Sequence, residues 1–248
     1  MFSGFSQEAL DFLLGIKMNN NKQWFEEHKK TYTEKIYEPL KALGEEIYRP
    51  FSDNEDMVYK VGRIYRDDSF PPYLHYRDTL WIYVRYNAVY WNKTPTLFFE
   101  LSPEGAEFGF RISKPDAAVM ERFRAELSED CKPFLKMIDT LERDFGVTIG
   151  GDEYKRLKPC SVPEAEKFFR KKGLSASVKV NSPEILFSHA LADRINELFQ
   201  GLIPLNDYFH EIVEIEETAK ALLKANTVPS EPEPETSMVK APDVEFMW

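Results

Sequence analysis

The period of the hydrophobic pattern changes at Met57, and that change constrains the fold more than any other feature of the chain. Before it, apolar residues recur every three to four positions; after it they alternate. Val58, Lys60, Gly62, Ile64 and Arg66 fall on one side of a strand, and Tyr59, Val61, Arg63 and Tyr65 on the other. A second strand covers 80–86, where Leu80, Ile82 and Val84 alternate with Trp81, Tyr83 and Arg85. Residues 96–101 and 106–112 then read as a hairpin around Ser102-Pro103-Glu104-Gly105, whose Pro and Gly suit a tight turn. Strands that follow one another in this way are the pattern of an α+β domain, not of alternating βαβ units.

Helices flank this block on both sides. Ser6 is an N-cap residue with Phe5 and Leu10 placed for a hydrophobic staple, and Leu10, Leu13 and Leu14 give a helical stripe that stops near Met18. Taking Asn20 as the next N-cap puts Gln23 at the capping-box position and starts a long helix through Trp24, Phe25, Tyr32, Ile36, Leu40, Leu43 and Ile47. Pro39 should kink or break it. Beyond the strands, Asp116 caps a helix over 117–127, a further helix spans 133–145 with Gly146 as its stop, and Pro163 opens a short one to about Lys171. A strand over 174–180 and helices over 183–199 and 204–223 complete the ordered part.

The expectation is one α+β domain over 1–225, its central antiparallel sheet packed by N-terminal and C-terminal helices. With 248 residues, 43% hydrophobic and 14% aromatic, there is ample material for a core. From Asn226 the composition turns to Pro and Glu, a segment that cannot bury enough to offset its ordering entropy, and 226–248 is read as a disordered acidic tail. Its last residues, Phe246, Met247 and Trp248, are the exception and raise the question of docking. A formal charge of -10 argues against general nucleic-acid or anionic-membrane binding. Cys131 and Cys160 lack C-x-x-C spacing, the N-terminus lacks a basic signal-peptide region, and no run reaches the roughly 20 apolar residues of a membrane span. A cytoplasmic protein without metal or cofactor is expected.

Several stretches resemble a known family. Phe5-Ser6 with Leu10, Phe12 and Leu13, then Asn19-Asn20-Asn21, Trp24-Phe25, Tyr32 and Pro39, then Arg63-Ile64, Arg66-Asp67 and Phe70 are similar to the uncharacterised microbial family labelled domain of unknown function 2461. Lys155-Arg156-Leu157-Lys158-Pro159 and the C-terminal helices extend the likeness, which covers roughly residues 2–215. The resemblance implies no activity. The chain also departs from the family: where members carry a lysine-bearing run after the R-D segment, this one has Pro71-Pro72-Tyr73-Leu74-His75, and the glycine-rich strand is reduced to Gly109.

Residues 60–86 hold the chemistry worth weighing. Arg63, Arg66, Arg77 and Arg85 either hold a carboxylate or phosphate by bidentate hydrogen bonds or are consumed by Asp67, Asp68 and Asp78 in an internal network. His75, oriented by Asp67 or Asp78, is the candidate for acid–base work, against a plain structural histidine. His28, His189 and His210 offer no metal-ligand spacing, and Trp24, Trp81, Trp91, Tyr83, Tyr86 and Tyr90 are read first as packing rather than as stacking platforms. Two functions therefore stand open. One is the binding of a small anionic ligand or a protein partner in a groove on the sheet around Arg63, Arg66, Arg77, Arg85 and Tyr83. The other is a hydrolase or transferase acting on an anionic substrate, with His75 and Asp67 moving the proton.

Overall fold

The computed structural model describes residues 1–226 apart from 68, 70, 72, 89–92, 157, 158 and 161. Asp68, Phe70, Pro72, Tyr90, Trp91, Leu157, Lys158 and everything from Thr227 on, Phe246-Met247-Trp248 included, lie outside the described residues.

The alternating segments form strands β1 (Met57–Val61), β2 (Leu80–Tyr86), β3 (Thr96–Ser102) and β4 (Gly105–Ile112). Two more join them, β5 (Thr148–Gly150) and β6 (Leu174–Val180). Together they make a six-stranded sheet in the order β1-β2-β3-β4-β6-β5, with every neighbouring pair antiparallel. The fold is α+β, as the period change predicts. β5 falls in a stretch that reads as irregular, because three residues are too few for alternation to register.

The helices are α1 (Gln7–Met18), α2 (Lys22–Thr31), α3 (Glu38–Tyr48), α4 (Ala117–Glu129), α5 (Lys132–Phe145), α6 (Glu166–Phe169), α7 (Pro183–Leu186) and α8 (Ala190–Asn226). α8 lies across β3 and β4, α1 packs on β3, and α3 on β1 and β2. On the face they cover, Leu80, Ile82, Val84, Leu97, Phe99, Leu101, Phe108, Phe110, Ile112 and Ala176 are fully buried. Each of these Leu, Ile, Val and Phe side chains contributes about 1.5–3 kcal/mol. Among the described residues, no helix is long and apolar enough to cross a membrane.

Local chemistry departs from expectation at three helix boundaries. The N-cap of α2 is Asn21, whose Oδ1 accepts the Trp24 N–H at 2.9 Å, and not Asn20. Asn20 is engaged elsewhere: its side-chain amide donates to the Tyr76 carbonyl (2.9 Å) and accepts the Tyr76 N–H (3.0 Å). Asn19 closes α1 by donating from its N–H and Nδ2 to the Gly15 carbonyl. Three consecutive asparagines thus perform three separate tasks.

Pro39 does not end the helical run. Residues Tyr32–Tyr37 form a π-helical turn between α2 and α3, with the Glu38 N–H bonded to Thr33, and Pro39 sits in the first turn of α3. Its missing N–H and its ring are accommodated by that wider turn. The last helix also differs. Residues 183–226 are not divided near Pro204 but at 187–189, between α7 and α8. A proline inside a helix costs about 3 kcal/mol. Burial of Leu202 and Leu205 on either side, and the close seat of Gly201 on the Phe145 ring, outweigh that loss.

A polar latch ties the chain's start to the head of α8. Glu46 on α3 accepts the Phe2 N–H (3.0 Å) and pairs with His189 Nε2 (2.5 Å), while His189 Nδ1 meets Asp193 (3.1 Å). Hydrogen bonds to Asp193 and then Glu46 raise the His189 pKa above its ordinary 6.5.

Candidate functional site

β1 ends at Val61 and the chain leaves the sheet before β2 begins. Gly62 makes the exit: its N–H still bonds the Trp81 carbonyl at 2.7 Å, and the Trp81 indole lies on its Cα. A methyl group there would stand 2.6 Å from Trp81 Cε2, so only glycine admits the ring. The strand expected to continue to Arg66 therefore becomes an excursion, and Arg63 and Arg66 lie on it, not on the sheet.

The excursion is a short antiparallel ladder. Tyr65 faces Tyr76, the Arg66 N–H donates to the His75 carbonyl (2.9 Å), and the Arg77 N–H donates to the Ile64 carbonyl (2.7 Å). Tyr76 stacks on Phe25 of α2 with ring centroids 4.4 Å apart, and Tyr65 meets the same ring edge-on at 5.6 Å. Asn20 clamps both backbone groups of Tyr76. The pairing sets Arg66 beside His75 and Arg77 beside the buried Ile64. Arg77 also lies close enough to Tyr83 for its charge to lower the pKa of that phenol.

The paired network expected between these arginines and their neighbouring acids is not formed among the described residues. Asp67 uses Oδ1 to accept the Ser69 N–H (3.1 Å), and Asp78 lies near Lys17, whose pKa it helps raise. Arg63, Arg66 and Arg77 hold no carboxylate there. Arg63 and His75 are exposed, Arg66 and Arg77 half-buried. Arg85 stands apart on β2, opposite Val58; it donates to the Tyr86 carbonyl (3.2 Å), and burial lowers its pKa below the ordinary guanidinium value.

Tyr83 connects this excursion to the face of the sheet away from the helices. That face carries Trp81, Tyr83, Phe98, Glu100, Glu107, Arg111, Ser175, Ser177 and Lys179, alternating with the buried core residues. Arg111 is its centre. Nη2 donates to Glu100 (2.5 Å) and to the Tyr83 hydroxyl, and the guanidinium lies 4.2 Å from the centre of the Phe98 ring, which it covers. Trp81 stacks on Tyr83 at 4.1 Å. Burial pushes the Tyr83 phenol above 10, with the Arg111 charge opposing it. Glu107, the register partner of Glu100, accepts the Ser177 hydroxyl (2.8 Å) and has Lys179 3.7 Å away.

Two clefts meet at Glu107. One, of about 430 Å³, is lined by Thr79, Glu100, Ser102, Glu104, Lys179 and Asn181 among others; a second, of about 200 Å³, by Phe98, Arg111, Asp152 and Ser175. Reasoning from the sequence placed Tyr83 and Arg85 on a strand but did not single out Glu100, Glu107 or Arg111. The signal was present, since Phe98 and Glu100 alternate with buried residues on β3, as do Glu107, Gly109 and Arg111 on β4.

The remaining histidines are structural. His28 stacks on Trp24 at 4.0 Å, His210 on Tyr86 at 3.6 Å, and His189 forms the latch. Among the described residues no group of three His, Cys, Asp or Glu could hold a metal ion.

Fold and site define an α+β protein with one sheet face buried under helices and the other polar and cleft-bearing. The family model described as "Conserved hypothetical protein (DUF2461)" matches residues 8–208, and the chain belongs to this family. The resemblance seen in the asparagine run and the R-I-x-R-D segment is therefore borne out. A search of curated proteins found no match.

Proposed function

We propose that the protein binds a small anionic ligand beside the 64–77 ladder, with Arg66 and Arg77 supplying the guanidiniums and Tyr83 a wall. One observation carries the reading. Backbone pairing sets Arg66 beside His75, with Arg77 two residues on, and among the described residues neither arginine is paired with a carboxylate, although Asp67 and Asp78 are their sequence neighbours. A planar guanidinium without a carboxylate suits bidentate capture of a carboxylate or phosphate. Asn20 and Phe25 fix the ladder, so the arginine backbones are held before a ligand arrives. Arg63, on the same excursion, and Arg85, on β2, supply longer-range positive potential. Acid–base catalysis by His75 with Asp67 is the second reading, with one Asp67 oxygen already accepting the Ser69 N–H.

Calorimetric titration with inorganic phosphate and with succinate tests the reading. Saturable binding to at least one, weakening as salt rises and lost in the Arg66→Gln/Arg77→Gln double variant, is the expected result. No saturable heat with either anion, or binding that survives the double substitution, overturns it.

A further inference from the structure

The larger cleft at Glu107 lies on the sheet face and stands apart from the two arginines just discussed. We infer that it is a site for a neutral polyhydroxylated ligand, a mono- or disaccharide in size and chemistry. Its volume, about 430 Å³, falls within the range of small-molecule pockets.

The charges around it cancel. Glu104 is bonded to Lys17 (2.8 Å), Glu100 to Arg111 (2.5 Å), and Glu107 lies 3.7 Å from Lys179. Each of the three lining carboxylates thus has a cation beside it, which weakens the drive to concentrate a free cation or a free anion. What the pairing leaves over is hydrogen-bonding capacity. Glu100 spends Oε1 on Arg111 and Glu107 spends Oε1 on Ser177, and among the described residues the second oxygen of each carboxylate accepts no hydrogen bond. Among the described residues the Thr79 hydroxyl and the Asn181 amide, both of which line the cleft, make no side-chain hydrogen bond, and Lys179 is 3.7 Å from its carboxylate, beyond hydrogen-bond length. Acceptors on the two central strands, flanked by Thr79 on one side and by Lys179 and Asn181 on the other, complement a molecule that both donates and accepts along its length, as a sugar does.

The supports are rigid where it matters. Glu100 and Glu107 are register partners on β3 and β4, and Ser177, 8% exposed on β6, fixes the Glu107 carboxylate from below. Gly105, with φ +125°, brings the hairpin turn against the Val180 carbonyl in the lining of the cleft. An apolar ligand would strand these polar groups, a loss of about 1–3 kcal/mol for each one buried unpaired.

Ligand-observed NMR with glucose, galactose, mannose, maltose and trehalose, each at about 10 mM, tests the inference at the weak end of specific binding. At least one sugar should give saturation transfer to the wild-type protein. Thr79→Val and Glu107→Gln should each weaken it by about tenfold, the scale of one lost hydrogen bond to a charged group. The Arg66→Gln/Arg77→Gln variant should bind the same sugar unchanged, which separates this site from the anion site. Absence of transfer from all five sugars overturns the inference, and so does a sugar signal indifferent to both cleft substitutions while their melting temperatures match wild type. If either cleft variant melts early, Asn181→Leu, an exposed position, takes its place and the same loss is required.

Discussion

The two faces of the sheet are built from the same strands and obey different rules. On the helix side, Phe99, Phe108 and Phe110 belong to one cluster of buried apolar side chains, and the driving force is area removed from water. On the other side, Phe98 is as well buried, at 2%, yet what covers it is the guanidinium of Arg111. The first arrangement tolerates no water and specifies the fold. The second is held by directional contacts of Arg111 with Glu100 and Tyr83, and it leaves clefts on either side of Glu107. Burial alone therefore does not mark the core; the nature of the covering group does.

Substitutions can break that comparison. Phe108→Ala should have the largest effect, about 3–5 kcal/mol of unfolding free energy in urea, because α8 cannot collapse into the void. Phe98→Ala should lose less, about 1.5–3 kcal/mol, since water can enter where the ring was. If the two losses are equal, the outer face is a second core and the contrast fails. Asn20→Ala removes both bonds to Tyr76 and should cost about 1–2 kcal/mol. It should also weaken phosphate binding more than it weakens any sugar signal, because the clamp positions Arg77 and not Glu107.

The smallest effect concerns pH and the latch on the helix side. His189 has a folded pKa raised above 6.5, chiefly by Asp193 and then by Glu46, so its protonated form is the one the fold prefers. The stability it contributes is fully present below pH 6.5 and is lost as pH rises through the elevated folded value. Melting curves of wild type and His189→Gln should therefore diverge in mild acid and converge in alkali. Curves that diverge instead above neutrality would mean that the latch works with a neutral imidazole.

Much of the fold was legible because period reports burial. Alternation located β2, β3, β4 and β6 to within a residue, and the left-handed Gly146 after α5 fell where a stop was expected. Asn20 and Asn21 were interchanged because both are good caps, and the competing demand on Asn20 comes from Tyr76, 56 positions away. Pro204 was misjudged for a similar reason: its local penalty is visible in sequence, whereas the packing of Leu202 and Leu205 that overrides it is not.

For the site, sequence assigned Tyr83 and Arg85 to alternate positions of a strand, and it marked residues 60–86 as dense in charge. It could not tell that β1 stops at Gly62, since that depends on where the Trp81 ring comes to rest. Nor could it show Glu100 opposite Glu107, or Arg111 beside both Glu100 and Tyr83. Periodicity is a property of one strand, written in the order of its own residues. Which carboxylate meets which guanidinium depends on register between strands and on rings packed from distant helices, and those are settled only when the chain closes on itself.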